Sequence, residues 1–169
     1  MHSSQNEQDN RHYARAAKIP MFEPSDSQEC IDMMREAFDV SERFDIPVLF
    51  RMTTRVSHSR SLAEFGDPLN LEPFPYSRNA RKYIAAPANA MVHRVELEDK
   101  LKGLAEYAET SPFNVVEKRG DKVGVISAGG AMLIAKEVFP EDTSFLKLGF
   151  THPLPMNMIR TFAESVETL

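Results

Sequence analysis

The chain has 169 residues, 42% of them hydrophobic, with 20 basic against 25 acidic side chains and a formal net charge of −5. That balance fits one ordinary folded domain or two small ones and argues against a nucleic-acid partner or a charged interaction tail. No apolar run approaches the roughly 20 residues that cross a bilayer, and the opening residues lack the apolar stretch of a secretory signal, so the expectation is a cytoplasmic protein with no membrane partner.

The first residues, MHSSQNEQDNRHYAR, are almost unbroken polar sequence. Solvating tails favour Pro, Gly, Lys and Glu, whereas Ser3, Ser4, Gln5, Asn6, Gln8, Asp9 and Asn10 make directed hydrogen bonds. Burying so dense a set of donors and acceptors is favourable only when a ligand or a neighbouring segment satisfies it. The stretch is therefore expected to be a loop from inside a larger enzyme.

Residues 18–25 follow as a short extended segment, and Ser25-Asp26-Ser27-Gln28 offers a capping box for a helix over about 26–44. Ile31, Met34, Phe38 and Ser41 are spaced to form its core face, opposite Asp32, Arg35, Glu36, Asp39 and Glu42. Asp45 and Pro47 end that helix, and residues 47–53 read as a strand buried on both faces. Extended segment, helix and strand in this order make a βαβ unit with a parallel sheet.

Between residues 59 and 88, Pro68, Pro73, Pro75 and Pro87 break every period, which marks a linker or a long surface crossing. A helix over about 90–109 carries Leu97, Leu101, Leu104 and Ala108 on one face and stops at Ser111-Pro112. A strand at 122–127, a Gly129-Gly130 turn, a helix at 131–138, a strand at 144–150, a turn at 152–155 and a helix at 156–167 restart the alternation. Ile159, Phe162, Ala163 and Val166 share one face of the last helix.

The motifs each have a plain alternative. GVISAGG, residues 124–130, joins a strand to a helix where backbone N–H groups could cradle a phosphate, but it lacks both familiar phosphate-loop spacings, and close packing at an ordinary turn is favoured. The five histidines are scattered without ligand spacing, which argues against a metal site. Cys30, the one cysteine, falls in a helical apolar pattern and cannot hold an iron–sulfur cluster, which needs about four thiolates. Arg55 and His58 lie in TTRVSHS, just after the carboxyl end of a predicted strand, where open α/β sheets bind ligands; solvated loop residues are the equal alternative.

Three segments carry a resemblance: MHSSQNEQDNRHYARAAKIPMFEPSDSQE, DIPVLFRMTTRVSHS and LKLGFTHPLP. Together they resemble the alpha subunits of the indolepyruvate ferredoxin oxidoreductases, a branch of the thiamine-diphosphate-dependent 2-oxoacid:ferredoxin oxidoreductases. HSSQNEQD and TTRVSHS are particular to that branch. The resemblance implies an α/β fold of three-layer parallel-sheet units: the end of a thiamine pyrimidine-binding domain at 1–60, a linker at 61–88, and an incomplete transketolase C-terminal-like domain at 89–169. For the complete enzyme it implies oxidative decarboxylation of an aryl pyruvate with thiamine diphosphate, Mg2+, iron–sulfur clusters and coenzyme A. The implied partners are the remaining domains of the alpha subunit, the beta subunit, ferredoxin and the 2-oxoacid.

The residues expected near the site are Ser3, Ser4, Gln5, Asn6 and Asp9 in the opening stretch, and Arg55 and His58 after the strand. The activating glutamate, the diphosphate ligands and the cluster motifs of that family have no counterpart here, so the chain is expected to be an internal fragment, inactive and without a cofactor by itself. Two other expectations stay open: a non-catalytic α/β subunit or interaction module, and a small enzyme that uses GVISAGG for a phosphorylated ligand. An incomplete first sheet would leave apolar edges exposed and favour association.

Overall fold

A computed structural model of the chain describes residues 8–68, 72 and 75–169. The first half contains α1 (Arg11–Ala17), β1 (Met21–Phe22), α2 (Ser27–Phe44), β2 (Leu49–Phe50) and α3 (Thr54–His58). It continues with α4 (Ala80–Tyr83), α5 (Pro87–Thr110), β3 (Asn114–Glu117), β4 (Gly124–Ala128), α6 (Gly130–Val138), β5 (Ser144–Leu148), β6 (Phe150–His152) and α7 (Met156–Glu164). The strands form two three-stranded sheets, β2-β1-β6 and β3-β5-β4. β1 runs parallel to β2, and β4 parallel to β5, as the alternation predicted. Each sheet also holds one antiparallel pair, β1 with β6 and β3 with β5, so the sheets are mixed rather than purely parallel.

The predicted strand over 144–150 is two strands in different sheets, broken at Gly149. A Cβ at Gly149 would lie 2.6 Å from Met33 Cε and 2.7 Å from the Phe113 carbonyl oxygen, so only glycine passes this gap. Asn114, buried in β3, fixes the break. Its side-chain oxygen accepts from the backbone N–H of Gly149 and of Phe150, both at 3.0 Å, and its amide donates to the Ala108 carbonyl at 2.9 Å. Sequence pattern missed β3 because Asn114 does not look like a core strand residue.

α2 is capped one residue later than the sequence suggested. Asp26 accepts from the Glu29 N–H at 2.9 Å, and the Glu29 carboxylate reaches back to the Ser25 N–H at 2.9 Å. Its buried face is Met33, Ala37 and Val40, whereas Met34 and Phe38 are exposed. The predicted stripe was displaced by one position because it followed the bulkier side chains; small Ala37 is what the close approach to the sheet accommodates. β2 is also shorter than predicted and only half-buried, at the edge of its sheet, with Met52 exposed.

The main core lies between the first sheet, α2 and α5, where Phe22, Met33, Val40, Leu104, Tyr107 and Phe150 meet. Phe22 and Tyr107 stack edge-on against Phe150 with ring centroids 5.0 and 5.1 Å away. Burying each such ring contributes about 1.5–3 kcal/mol. Tyr107 closes the core by donating its hydroxyl to Glu36 at 2.8 Å, and burial pushes its ionisation far up. Leu97, Leu101, Leu104 and Ala108 of α5 face this core, as their spacing predicted. A smaller cluster of Leu146, Leu148 and Phe162 holds α7 on the second sheet. The carboxylate of Glu109 in α5 caps α7 from outside, accepting from the N–H groups of Asn157 and Met158 at 2.8 and 2.9 Å.

Candidate functional site

The parallel register of β1 and β2 pairs Phe22 with Phe50, so the next residues, Glu23 and Arg51, emerge side by side at the carboxyl ends of both strands. Glu23 is almost completely buried, and its backbone N–H donates to the Gly149 carbonyl at 2.8 Å. Two guanidinium groups satisfy its carboxylate. Arg51 donates through Nη1 to Oε2 at 2.7 Å, while Arg11 of α1 donates through Nε to Oε1 at 2.9 Å and through Nη2 to Oε2 at 3.2 Å. A buried carboxylate without such partners would cost several kcal/mol. The Arg51 Nε, also buried, has no hydrogen-bond partner among the described residues.

Arg11 links this cluster to the polar opening. Its backbone N–H and its Nη1 donate to the Asp9 carboxylate at 3.0 and 3.4 Å. The backbone hydrogen bond, the largest cause, holds the Asp9 carboxyl below its usual range, and the Glu23 contact raises Arg11 above its own. From Arg11 onward the opening is thus a helix rather than a loop.

A third strand end joins from the second sheet. Gly129, after β4, has φ +55 and ψ −151, a conformation nearly confined to glycine, and a Cβ there would come 3.5 Å from the Pro24 carbonyl and 3.9 Å from Glu23 Oε2. The GVISAGG turn therefore faces two acceptor oxygens, which favours the close-packing reading of this motif. Its neighbour Gly130 abuts Val56, the buried residue of α3, whose start Thr53 caps through its hydroxyl. Behind the turn, Lys147 of β5 donates to the Ser25 hydroxyl at 3.0 Å and to the Glu29 carboxylate, tying the second sheet to the cap of α2.

Of the residues singled out by sequence, Asp9 lies in this network, and Arg55 and His58 stand exposed on α3 beside it. Ser3, Ser4, Gln5 and Asn6 lie outside the described residues. Sequence reasoning passed over Glu23, Arg51 and Arg11. The one available signal was polar residues directly after two apolar strands at parallel register, and Arg11 is brought in only by the fold. Among the described residues, no group of three or more His, Cys, Asp or Glu side chains could hold a metal, and no helix is long and apolar enough to cross a membrane.

Polar side chains gathered at the carboxyl ends of parallel strands are the layout of the ligand-handling face of α/β proteins. No family model matches the chain. Over 99% of its length, however, it is similar to the indolepyruvate oxidoreductase subunit IorA of several archaea. Identity is 44% over 174 residues with the subunit from Methanothermobacter marburgensis, 36% over 172 with that from Archaeoglobus fulgidus, and 34% over 178 with that from Thermococcus kodakarensis. The chain spans 28% of the length of each of these relatives. It is homologous to one segment of that oxidoreductase subunit.

Proposed function

We propose that the chain is part of the alpha subunit of a cytoplasmic indolepyruvate ferredoxin oxidoreductase. Residues 1–60 would be the closing part of its pyrimidine-binding domain, 61–88 a linker, and 89–169 part of its transketolase C-terminal-like domain. The observation that supports this is the similarity to IorA subunits, 34% identity or better across 99% of the chain in all three relatives above. The complete enzyme would decarboxylate an aryl pyruvate oxidatively, pass the acyl group to coenzyme A and deliver electrons to ferredoxin. The beta subunit and the rest of the alpha subunit would be its partners.

The described residues do not fit thiamine diphosphate with magnesium, or an iron–sulfur cluster, as a group held by this chain alone. The buried carboxylate, Glu23, is committed to two guanidiniums, and the only thiol is Cys30. The chain's own contribution is to position. Glu23 fixes the strand ends and Arg11 joins it to Asp9, and Ser3, Ser4, Gln5 and Asn6 would contribute near the site. On α3, Arg55 would face the carboxylate of the 2-oxoacid, with His58 beside it.

Calorimetric titration of thiamine diphosphate and Mg2+ tests this, using the chain alone and the chain mixed with separately expressed flanking segments of the subunit. Binding and indolepyruvate oxidation by the mixture only are expected. A mixture that assembles but neither binds nor oxidises would withdraw the function and favour a non-catalytic subunit. Arg55→Ala in the assembled enzyme should raise the KM for the 2-oxoacid, and an unchanged KM would remove Arg55 from that role.

A further inference from the structure

A cleft lies away from the strand ends. It occupies about 890 Å3 between α4, the amino-terminal half of α5 and the turn that closes α2. α4 is only four residues long and belongs to the proline-broken crossing, so its own backbone hydrogen bonds cannot hold it there. Three side-chain contacts do, one of them the Asn89 amide donating to the carbonyl of Ile84, just past α4, at 2.9 Å. Lys82 of α4 pairs with Asp45 at 2.6 Å, and the imidazole of His93 in α5 bridges the two helices. Its Nδ1 lies 3.0 Å from Glu96 Oε2 and its Nε2 lies 2.9 Å from the Arg81 carbonyl oxygen.

Both of these neighbours are acceptors. A neutral imidazole has one N–H and can donate to only one of them, and the same holds if the ring is turned over. Only the imidazolium satisfies both. We propose that His93 is a pH-operated clasp: protonated, it ties α4 to α5 at the cleft, and on losing its proton it keeps its one N–H on the Glu96 carboxylate, the stronger acceptor, and releases the Arg81 carbonyl of α4.

The surrounding charges are Glu96 and Lys100 from α5, Arg81 and Lys82 from α4, and Asp45 from the turn after α2. The Glu96 hydrogen bond, then the Arg81 carbonyl, hold the His93 imidazolium above its ordinary range, and Lys100 opposes them weakly. A group whose folded pKa is raised contributes below its unfolded value and loses that contribution as pH rises through the folded one. The clasp is therefore closed in mild acid and opens towards alkaline pH. Asp45 and Lys82 keep their charges throughout that interval, so α4 stays anchored at its other end. This device is independent of the oxidoreductase reading.

The test uses the 169-residue chain and two reporters within α4, the amides of Tyr83 and Ile84, which donate to Asn79 and Ala80. Their hydrogen-exchange protection factors, corrected for the intrinsic rate, are measured from pH 5 to 9 beside the NMR titration of the His93 ring. Protection should fall on the order of twofold or more, with the midpoint of the ring titration, above the ordinary value of about 6.5. His93→Gln should make protection independent of pH, and Glu96→Gln should move the midpoint down. Flat protection in the unmodified chain, an unchanged profile in His93→Gln, or a ring that titrates at or below the ordinary value would overturn the clasp.

Discussion

The chain carries two ionic clusters that look alike in composition and differ in burial. At the strand ends, Glu23 is 2% exposed and Arg51 13%, whereas in the cleft Asp45 is 57% exposed and Lys82 41%. Water screens the second cluster throughout, but reaches the first only on its Arg11 side. Glu23 is therefore a fixed structural charge whose loss strands the Arg51 guanidinium, while the cleft pairs are adjustable contacts. Similar residues do different work because the β1–β2 register drives Glu23 inward, whereas Asp45 occupies a left-handed helix cap at the surface.

Glu23→Ala should be the most destabilising substitution. It leaves Arg51 buried with neither Nη1 nor Nε partnered, which costs roughly 3–5 kcal/mol by the behaviour of buried pairs that lose one member. Urea denaturation at neutral pH reads the loss, and a midpoint within error of the unmodified chain would show that the cluster opens to water.

Next in size is the difference between the two arginines. Arg51 is 13% exposed and Arg11 48%, so Arg51→Met should destabilise more, by roughly 1.5–3 kcal/mol for a charged hydrogen bond, and Arg11→Met by less. Equal losses would mean that α1 is as firmly fixed as the strands. Measuring both also bears on the proposed function, because Arg11 is the link between Glu23 and Asp9.

Much of this fold was legible in sequence, and the misses share a cause. The apolar stripe of α5 is legible because its leucines follow one period over three turns, whereas the exposed Met91, Val92 and Val95 are confined to its first half. In α2 two faces competed, and large Met34 and Phe38 outweighed small Ala37, although closeness of approach and not side-chain size decides which face packs. β3 and the break at Gly149 depend on one buried asparagine that meets a strand distant in sequence, which no local pattern reveals. For the same reason the Glu23 network was not legible: of its members only Asp9 stood out in the sequence, and Glu23 gains significance only when Arg11 and Gly129 arrive from elsewhere in the chain.

The smallest expected effect belongs to Asp45, and it tests whether the cleft cluster is screened as supposed. The Lys82 hydrogen bond is the main cause holding the Asp45 carboxyl below its usual range, with Lys100 adding to it. A carboxyl with a depressed folded pKa contributes above its unfolded value, near 3.9, and loses that contribution as pH falls through the lower folded one. Asp45→Asn keeps a residue that tolerates the left-handed backbone at φ +48, so it removes charge without straining the cap. The pair is exposed, so the loss at neutral pH should be under about 1 kcal/mol. It should shrink further in 1 M salt and fade as pH falls through the depressed folded value, below which both proteins carry a neutral group. Urea midpoints from pH 2 to 7 measure this. A loss that persisted at pH 2 would place its origin in the cap geometry, and one as large as that of Glu23→Ala would mean that burial does not separate the two clusters.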